Sequence, residues 1–523
     1  MGFDEVDALT GPLIGRPKSA TYRTSDVVGL DTLSLTIKTM ADTLPGDPWH
    51  AYFKTPEFMQ ALIDSKALGQ KTGAGIFRKV GKEIHVLDLA AKDYRPSGAQ
   101  VAPEVLAILK DKNPQSKFKA LRASEHPQAQ FLWACFRDLF HYCAFHLADI
   151  AASARELDFA IRWGYGWNLG ALELWQAADW KQVATWINED IQAGKSMSSA
   201  QLPDWVSRVD AVHTSEGSYS AGQATYLPRS SNPVYTRQRF PDGLLGERFA
   251  PGETAYEDDS VRLWHDGDGI GVLSFKSKMN TVGDGVLAGV RKAIDIAEQQ
   301  FQGLVVWQTK EPFSAGADLS GVLASLQEGR IDDFRAMIGQ FQATSMRIKY
   351  AQIPVVAAVR GMALGGGCEF QMHAARTVFA LESYIGLVEA GVGLLPAGGG
   401  LKEIALRVGS SGGDVFAGLK PYFEAIAMGK VSGSALEAKE LKLARESDVV
   451  VFNSFELLHV AKAQARAMAE SAYRPPMPAR DIPVAGSIGI ATFKMMLVNM
   501  LAGGFISEHD MEVSTRIATV LCG

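Results

Sequence analysis

Three short stretches of the 523-residue chain combine turns, small residues and carboxylates in a way suited to chemistry. Pro312-Phe-Ser-Ala-Gly-Ala-Asp318 puts small residues where the chain must turn sharply, which leaves backbone N–H groups unpaired and accessible. Gly361-Met-Ala-Leu-Gly-Gly-Gly-Cys-Glu369 brings three glycines to a helix start, where a ligand can approach the backbone closely and the helix adds partial positive charge. Together the two turns can aim two N–H donors at one oxygen, an oxyanion hole. Glu389 opens a further glycine-rich turn, Glu389-Ala-Gly-Val-Gly-Leu-Leu-Pro-Ala-Gly-Gly-Gly400, and gives a second carboxylate twenty residues after Glu369. Two buried acids near one another can separate their pKa values and divide proton transfer between them. Taken singly, each stretch has an ordinary explanation, since acids favour helix starts and glycine runs mostly make turns. The joint order and spacing of all three is the specific signal. Cys368 has no nearby His in sequence to activate it and reads as a small core residue; His373 reads as packed or solvated.

The elements that must position these turns are strands alternating with helices. Val261–Trp264, Gly271–Phe275, Leu304–Trp307 and Pro354–Val359 are apolar runs of strand type, and the first two reactive turns follow the third and fourth of them. An amphipathic helix through Phe370 to Ala375 follows the glycines, so an α/β unit is expected. From about 415 to the end the pattern is helical, clearest in Ala435–Leu443. Residues 1 to about 215 are also helical, with almost no alternating strands; in Phe131–Ala152, Leu132, Phe136, Phe140, Phe145 and Ala148 fall near one face. This half contains an internal echo: Glu5-Val-Asp7-Ala-Leu followed by Gly15 aligns with Glu156-Leu-Asp158-Phe-Ala followed by Gly166, at a constant offset of 151 residues (7 to 158, 15 to 166). Residues 216–258, rich in Gly, Ser, Pro and Arg as in Leu227-Pro-Arg-Ser-Ser-Asn-Pro233, read as a linker.

With these motifs in view, the region from about 260 to 410 resembles the crotonase superfamily. The resemblance rests on the Phe-Ser-Ala-Gly-Ala-Asp turn, the Gly-Gly-Gly-Cys-Glu helix start, and a Glu four residues before Gly393 and seven before Pro396. It implies that Ala317 and Gly366 supply the two oxyanion N–H groups and that Glu369 and Glu389 match the two catalytic glutamates of enoyl-CoA hydratases. Adding water to a 2-enoyl thioester pushes negative charge onto the thioester oxygen, and one lost oxyanion donor typically costs about 3 to 4 kcal/mol of barrier. Glu369 is then expected to orient and deprotonate water and Glu389 to protonate C2, with exchanged roles left open. Ala315, Gly316, Asp318 and Gly365 are expected to contact substrate, and Lys276, Lys278 and Lys310 the CoA phosphates. The scaffold also supports isomerases, thioesterases and dehalogenases; isomerases of this type usually keep one glutamate, so both acids together favour hydration.

The first half is similar to the carboxy-terminal helical domain of 3-hydroxyacyl-CoA dehydrogenases, through Asp7-Ala-Leu-Thr-Gly-Pro-Leu-Ile-Gly-Arg-Pro-Lys-Ser-Ala-Thr21 and Asp26-Val-Val-Gly-Leu-Asp31; the echo at Glu156–Leu174 resembles a second copy. The whole order is similar to bacterial multifunctional fatty-acid oxidation proteins. The resemblance implies an all-α first half (1–120 and 121–215), a linker (216–258), an α/β crotonase-like (ββα superhelix) core (259–415) and a helical C-terminal extension (416–523). Those proteins begin with a dinucleotide-binding domain, whereas no strand-Gly-x-Gly-x-x-Gly-helix unit stands in this sequence; Gly267-Asp-Gly-Ile-Gly271 precedes a strand and reads as a hairpin turn. The expectation is an acyl-CoA enzyme with no cofactor in this chain. NAD enters only through a separate dinucleotide-binding domain, and Met1-Gly-Phe-Asp reads as a truncated or internally started end. A separate NAD-binding dehydrogenase domain or a thiolase are the expected partners, with a homo-oligomer as the assembly. The rivals are a non-catalytic assembly subunit and a degraded gene product with exposed apolar surface.

Bulk properties narrow the alternatives. With 47% hydrophobic and 21% charged residues the chain is an ordinary globular multidomain sequence, and a net charge of -6 with no basic run argues against nucleic acid. Four cysteines without metal-ligand spacing fit a reducing compartment and argue against zinc or structural disulfides. The acidic amino end is not a leader peptide, which places the chain in the cytoplasm. Ser487–Ile506 is interrupted by Lys494 and two glycines and reads as a buried helix, not a membrane span. The aromatic group Trp163, Tyr165, Trp167 and Trp175 reads as core or interface, since Arg162 alone gives no base-stacking surface.

Overall fold

The computed structural model describes all residues except 240–251, 321–322 and 324–326. The described chain forms two compact units, Met1–Arg229 and the residues from Ser230 onward.

The first unit is helical around an aromatic core in which Phe118, Trp133, Phe140 and Trp175 are fully buried. Trp175 stacks on Trp180 with ring centroids 4.1 Å apart. The internal echo has a structural counterpart. The Asp7 carboxylate accepts the amides of Thr21, Tyr22 and Arg23 (3.1, 2.6 and 2.9 Å) at the start of the helix Tyr22–Val28. Asp158, 151 residues on (158 − 7), accepts those of Leu172 and Glu173 (2.8 and 2.9 Å) at the start of Ala171–Ala177. Each acid pins the exposed amides of a helix start. Gly15 and Gly166 both take the left-handed backbone (φ +76° and +65°). Asn168 N donates to Gly15 O at 2.8 Å and the Arg16 guanidinium lies 3.7 Å from the Trp167 ring centre, so the two equivalent loops face each other.

Two departures from the sequence reading occur here. The meander β1 (Phe77–Val80), β2 (Glu83–Asp88) and β3 (Asp93–Pro96) is antiparallel; its strands are short, charged and largely solvated, so the alternation is weak. The stretch expected to be linker is partly strand: β4 (His213–Thr214), β5 (Gly217–Ser220) and β6 (Thr225–Leu227) form a second small sheet in the first unit. His213 anchors it, with Nε2 2.8 Å from Asp158 Oδ2 and Nδ1 2.8 Å from Ser218 Oγ.

The second unit is built on a seven-stranded sheet of order β13-β12-β11-β10-β9-β8-β7. Its strands are β7 (Glu253–Glu257), β8 (Val261–His265), β9 (Ile270–Phe275), β10 (Gly303–Trp307), β11 (Val355–Leu364), β12 (Arg376–Gly386) and β13 (Val449–Val451). β9 to β13 run parallel and β7–β8–β9 antiparallel, so Gly267–Gly271 lies at the β8–β9 hairpin turn as expected. β9 and β10 are buried along their whole length, as parallel strands covered on both faces are. Their side chains alternate between two cores: Leu304 and Val306 pack beneath the helices Asp284–Gln300 and Ile331–Lys349, while Val305 and Trp307 pack beneath Leu457–Glu470. β13 falls inside the region expected to be helical and adds an edge strand too short for pattern reading. The helix Gly486–Ala502 is only half covered: Phe493 and Leu497 are buried, whereas Ile488 is 81% exposed. Among the described residues no helix is long and apolar enough to cross a membrane.

Candidate active site

The turn Phe313–Asp318 is docked along the end of β11: Ser314 N donates to Met362 O (3.1 Å) and Leu364 N to Ser314 O (3.0 Å). Gly316 has φ +97°, and a Cβ there would lie 2.9 Å from Leu364 O, so both conformation and space require glycine. Val282 N donates to Gly316 O (2.8 Å) and Asp318 N to Val282 O (3.1 Å), which engages the peptides on either side of Ala317. Its own N–H donates to nothing among the described residues.

The second turn follows β11. Gly365 sits at φ +49°, ψ −120° and donates its N–H to Gly386 O (2.8 Å). Gly366 then begins the helix Gly366–His373, which leaves its N–H without an intrahelical acceptor. A Cβ on Gly366 would meet the Phe341 ring at 2.3 Å, one on Gly367 would meet Ser314 at 2.7 Å, and one on Gly316 would lie 3.6 Å from Gly366 N. The glycines thus bring the two free amides to one place.

Ala317, Gly366, Glu369 and Glu389 all line one cavity of about 350 Å³. Its remaining wall is apolar, from Phe334, Met337 and Phe341 on the helix Ile331–Lys349 and from Val513. The two acids differ in how they are held. Glu369 Oε1 accepts Gly400 N at 2.9 Å, at the start of the helix Gly400–Ser410, and the neighbouring amides of Gly398 and Gly399 also favour its charged form. Burial pushes its pKa up and these three amides oppose that. Glu389 Oε2 is buried with no hydrogen-bond partner among the described residues; burial, and then the charge of Glu369, push its pKa up against the opposing amides of Glu389 and Val388. Of the pair, Glu369 is therefore the one favoured as carboxylate and Glu389 the one favoured as acid.

Behind Glu369, His373 Nδ1 donates to Glu369 O (2.7 Å) and Nε2 accepts from Lys402 Nζ (3.1 Å); burial pulls its pKa down to about 4, so it is a neutral, packed imidazole. The Cys368 thiol is buried and its pKa pushed up, which makes it inert.

The other named residues take different places. Ala315 N donates to Met279 O (3.1 Å), so Ala315, Gly316 and Gly365 shape the turns. Asp318 turns outward and caps Ser320 N (3.1 Å). Lys276 Nζ pairs with Glu257 Oε1 (2.9 Å) and donates to Asp258 O (2.6 Å), because β7 brings an acid beside it, and it lies outside the cavity lining. Lys278 lies in the Lys278–Asn280 turn outside the cavity lining. The sequence reading missed the amides of Gly398–Gly400 as the cradle of Glu369, and missed Phe341. The signal was a third glycine run directly before a helix, of the same kind as the one read at Gly365–Gly367.

Comparison with known proteins agrees with this layout. Residues 266–416 match the enoyl-CoA hydratase/isomerase family and residues 1–79 the C-terminal domain of 3-hydroxyacyl-CoA dehydrogenase. A Bacillus subtilis (strain 168) protein described as a probable 3-hydroxyacyl-CoA dehydrogenase is 35% identical over 520 residues, 99% of this chain and 64% of that protein. A Rickettsia felis protein described as a candidate fatty acid oxidation complex trifunctional enzyme is 23% identical over 420 residues, 78% of this chain and 52% of its own length. Ethylmalonyl-CoA decarboxylase of Pongo abelii is 33% identical over 194 residues, 36% of this chain and 62% of that protein. The chain thus spans about half to two thirds of the length of these relatives.

Proposed function

Because this chain carries a 3-hydroxyacyl-CoA dehydrogenase C-terminal domain at its beginning and an enoyl-CoA hydratase/isomerase domain after it, we propose that it is an enoyl-CoA hydratase of fatty-acid β-oxidation. The supporting observation is the asymmetry of the two acids beside two free amides in one cavity. The thioester oxygen accepts from Ala317 N–H and Gly366 N–H, which stabilises the enolate as charge develops on it. Glu369, held by the Gly400 amide, takes a proton from water while the water oxygen bonds to C3; Glu389 gives its proton to C2. The step leaves Glu369 protonated and Glu389 ionised, and a proton exchange between them and solvent restores the starting state. Both acids line the same cavity; on this reading they deliver water and proton from one side, and addition is syn, giving a 3-hydroxyacyl-CoA.

The test is turnover of crotonyl-CoA by the purified chain, followed by loss of the enoyl-thioester absorbance. Glu389→Gln is expected to lower kcat by about 100- to 10,000-fold with KM little changed. Undiminished hydration by that variant, or turnover of ethylmalonyl-CoA without hydration of crotonyl-CoA, overturns the proposal. A chain inactive on all enoyl-CoAs leaves the assembly-subunit reading in its place.

The dehydrogenase half of the resemblance is a separate matter. Gly267–Gly271 lies at a hairpin turn between antiparallel strands, not in a strand-to-helix loop, so it does not fit a dinucleotide pyrophosphate. On this reading the chain alone does not oxidise 3-hydroxyacyl-CoA, and saturable NADH binding is the result that contradicts it. Homo-oligomer formation is part of the same proposal and is read by size-exclusion chromatography.

A further inference from the structure

A second cavity, of about 250 Å³, lies wholly within the first unit and takes no part in the chemistry above. It opens where the two equivalent loops meet. Arg16 stands in it, flat against Trp167 at 3.7 Å and within 5.8 Å of the Phe136 ring. The stacking holds the guanidinium in place and satisfies its face, but not its N–H edge. Among the described residues that edge has no carboxylate partner, and burial draws the Arg16 pKa down to about 10. Two further cations, Lys112 and Lys117, line the same space, and Lys117 belongs to the first turn of the ten-residue helix Pro114–Ala123, whose start also faces the cavity. No acid lines it, in a chain that has 58 acids against 52 Lys and Arg. Asp111 feels the charge of Lys117, but its carboxylate is bonded to Ser116 and the Asn113 amide (2.9 Å) and does not line the cavity. The rest of the wall is apolar, with Leu109, Phe118, Leu139 and Leu174 among it.

A guanidinium without a carboxylate partner above an apolar floor selects a particular kind of ligand. A small inorganic anion leaves the floor wet, and a neutral alkyl compound leaves the guanidinium edge unpaired in a desolvated place. We propose that this cavity binds an amphipathic anion, an alkyl chain ended by a carboxylate, with the carboxylate on Arg16 and the chain against Leu139 and Phe118.

The experiment titrates the full chain with octanoate, octanol and inorganic phosphate, following tryptophan fluorescence and heat. Octanoate is expected to saturate and change the Trp167 signal, with Trp167→Phe removing that change. Octanol and phosphate are each expected to bind at least tenfold more weakly. Arg16→Gln is expected to weaken octanoate at least tenfold, while crotonyl-CoA turnover stays as in the parent. If Arg16→Gln fails to fold, Lys117→Gln on the rim serves instead, with an expected loss of about threefold from one weakened charge contact. No saturation, equal binding of octanol or phosphate, or octanoate binding indifferent to both substitutions overturns the inference.

Discussion

At the scale of single residues the site is a contrast between two glutamates that are held differently. Glu369 Oε1 accepts the Gly400 amide, whereas Glu389 Oε2 accepts nothing among the described residues. This carries a pH dependence whose sign follows from proton linkage. Glu389 in the folded protein holds its proton above the usual carboxylate value, so the folded state binds more protons than the unfolded one across that window. Stability therefore falls as pH rises through it, and is unaffected below the usual value. Glu389→Gln should lessen the fall, leaving the part due to Glu369: thermal melts from about pH 5 to about pH 8 are expected to show the variant gaining roughly 1 to 2 kcal/mol on the parent toward the alkaline end. Gly398 gives a steric test, because a Cβ there would stand 2.3 Å from Glu369 Oε2 and 2.6 Å from Phe341. Gly398→Ala is expected to displace the carboxylate, costing about 1 to 3 kcal/mol of stability and lowering kcat more than tenfold, measured by melting and steady-state hydration. That both acids and both glycine turns belong to one cavity was legible because each demands a residue type at a fixed spacing. The cradle at Gly398–Gly400 was not, because a backbone amide leaves no trace in a side-chain pattern.

At the scale of elements, the apolar strands at 261–275, 304–307 and 354–359 were readable from composition, since strands covered on both faces need continuous apolar runs. β12 was harder: Arg376–Gly386 mixes Arg, Thr, Glu and Ser into a strand whose outer residues are half solvated. β7 and β13 are edge strands, whose weak patterns reflect one-sided pairing. In the first unit the recurrence at 151 residues was legible because an acid that pins a helix start cannot be freely replaced. The two pins differ in depth, Asp158 being fully buried and also bonded to His213 while Asp7 is partly exposed. Asp158→Ala is thus expected to cost roughly 3 to 5 kcal/mol, by leaving an imidazole and two amides unsatisfied, and Asp7→Ala about 1 to 2 kcal/mol. Denaturant titrations that rank the two in the opposite order refute this account.

At the scale of the whole molecule, the chain separates into two units, each with its own core. An Asp158→Ala protein should accordingly lose order in the first unit, seen as a shifted tryptophan transition, while crotonyl-CoA hydration below that transition keeps its parental kcat/KM. The division between the units was only partly visible in the sequence, because a Gly- and Ser-rich stretch can fold as short strands when a buried histidine anchors it, as His213 does. The meeting of the two loops has one more consequence. Residue 16 shifted by the 151-residue offset is residue 167, so the near-symmetry places a guanidinium opposite an indole where strict symmetry would place like opposite like. Two identical copies of the first loop would set charge against charge at that point, and two of the second would leave ring against ring with no cation. The mismatch makes the pair mutually selective, so the two halves recognise each other in preference to themselves, and a single ribbon keeps the correct match always within reach.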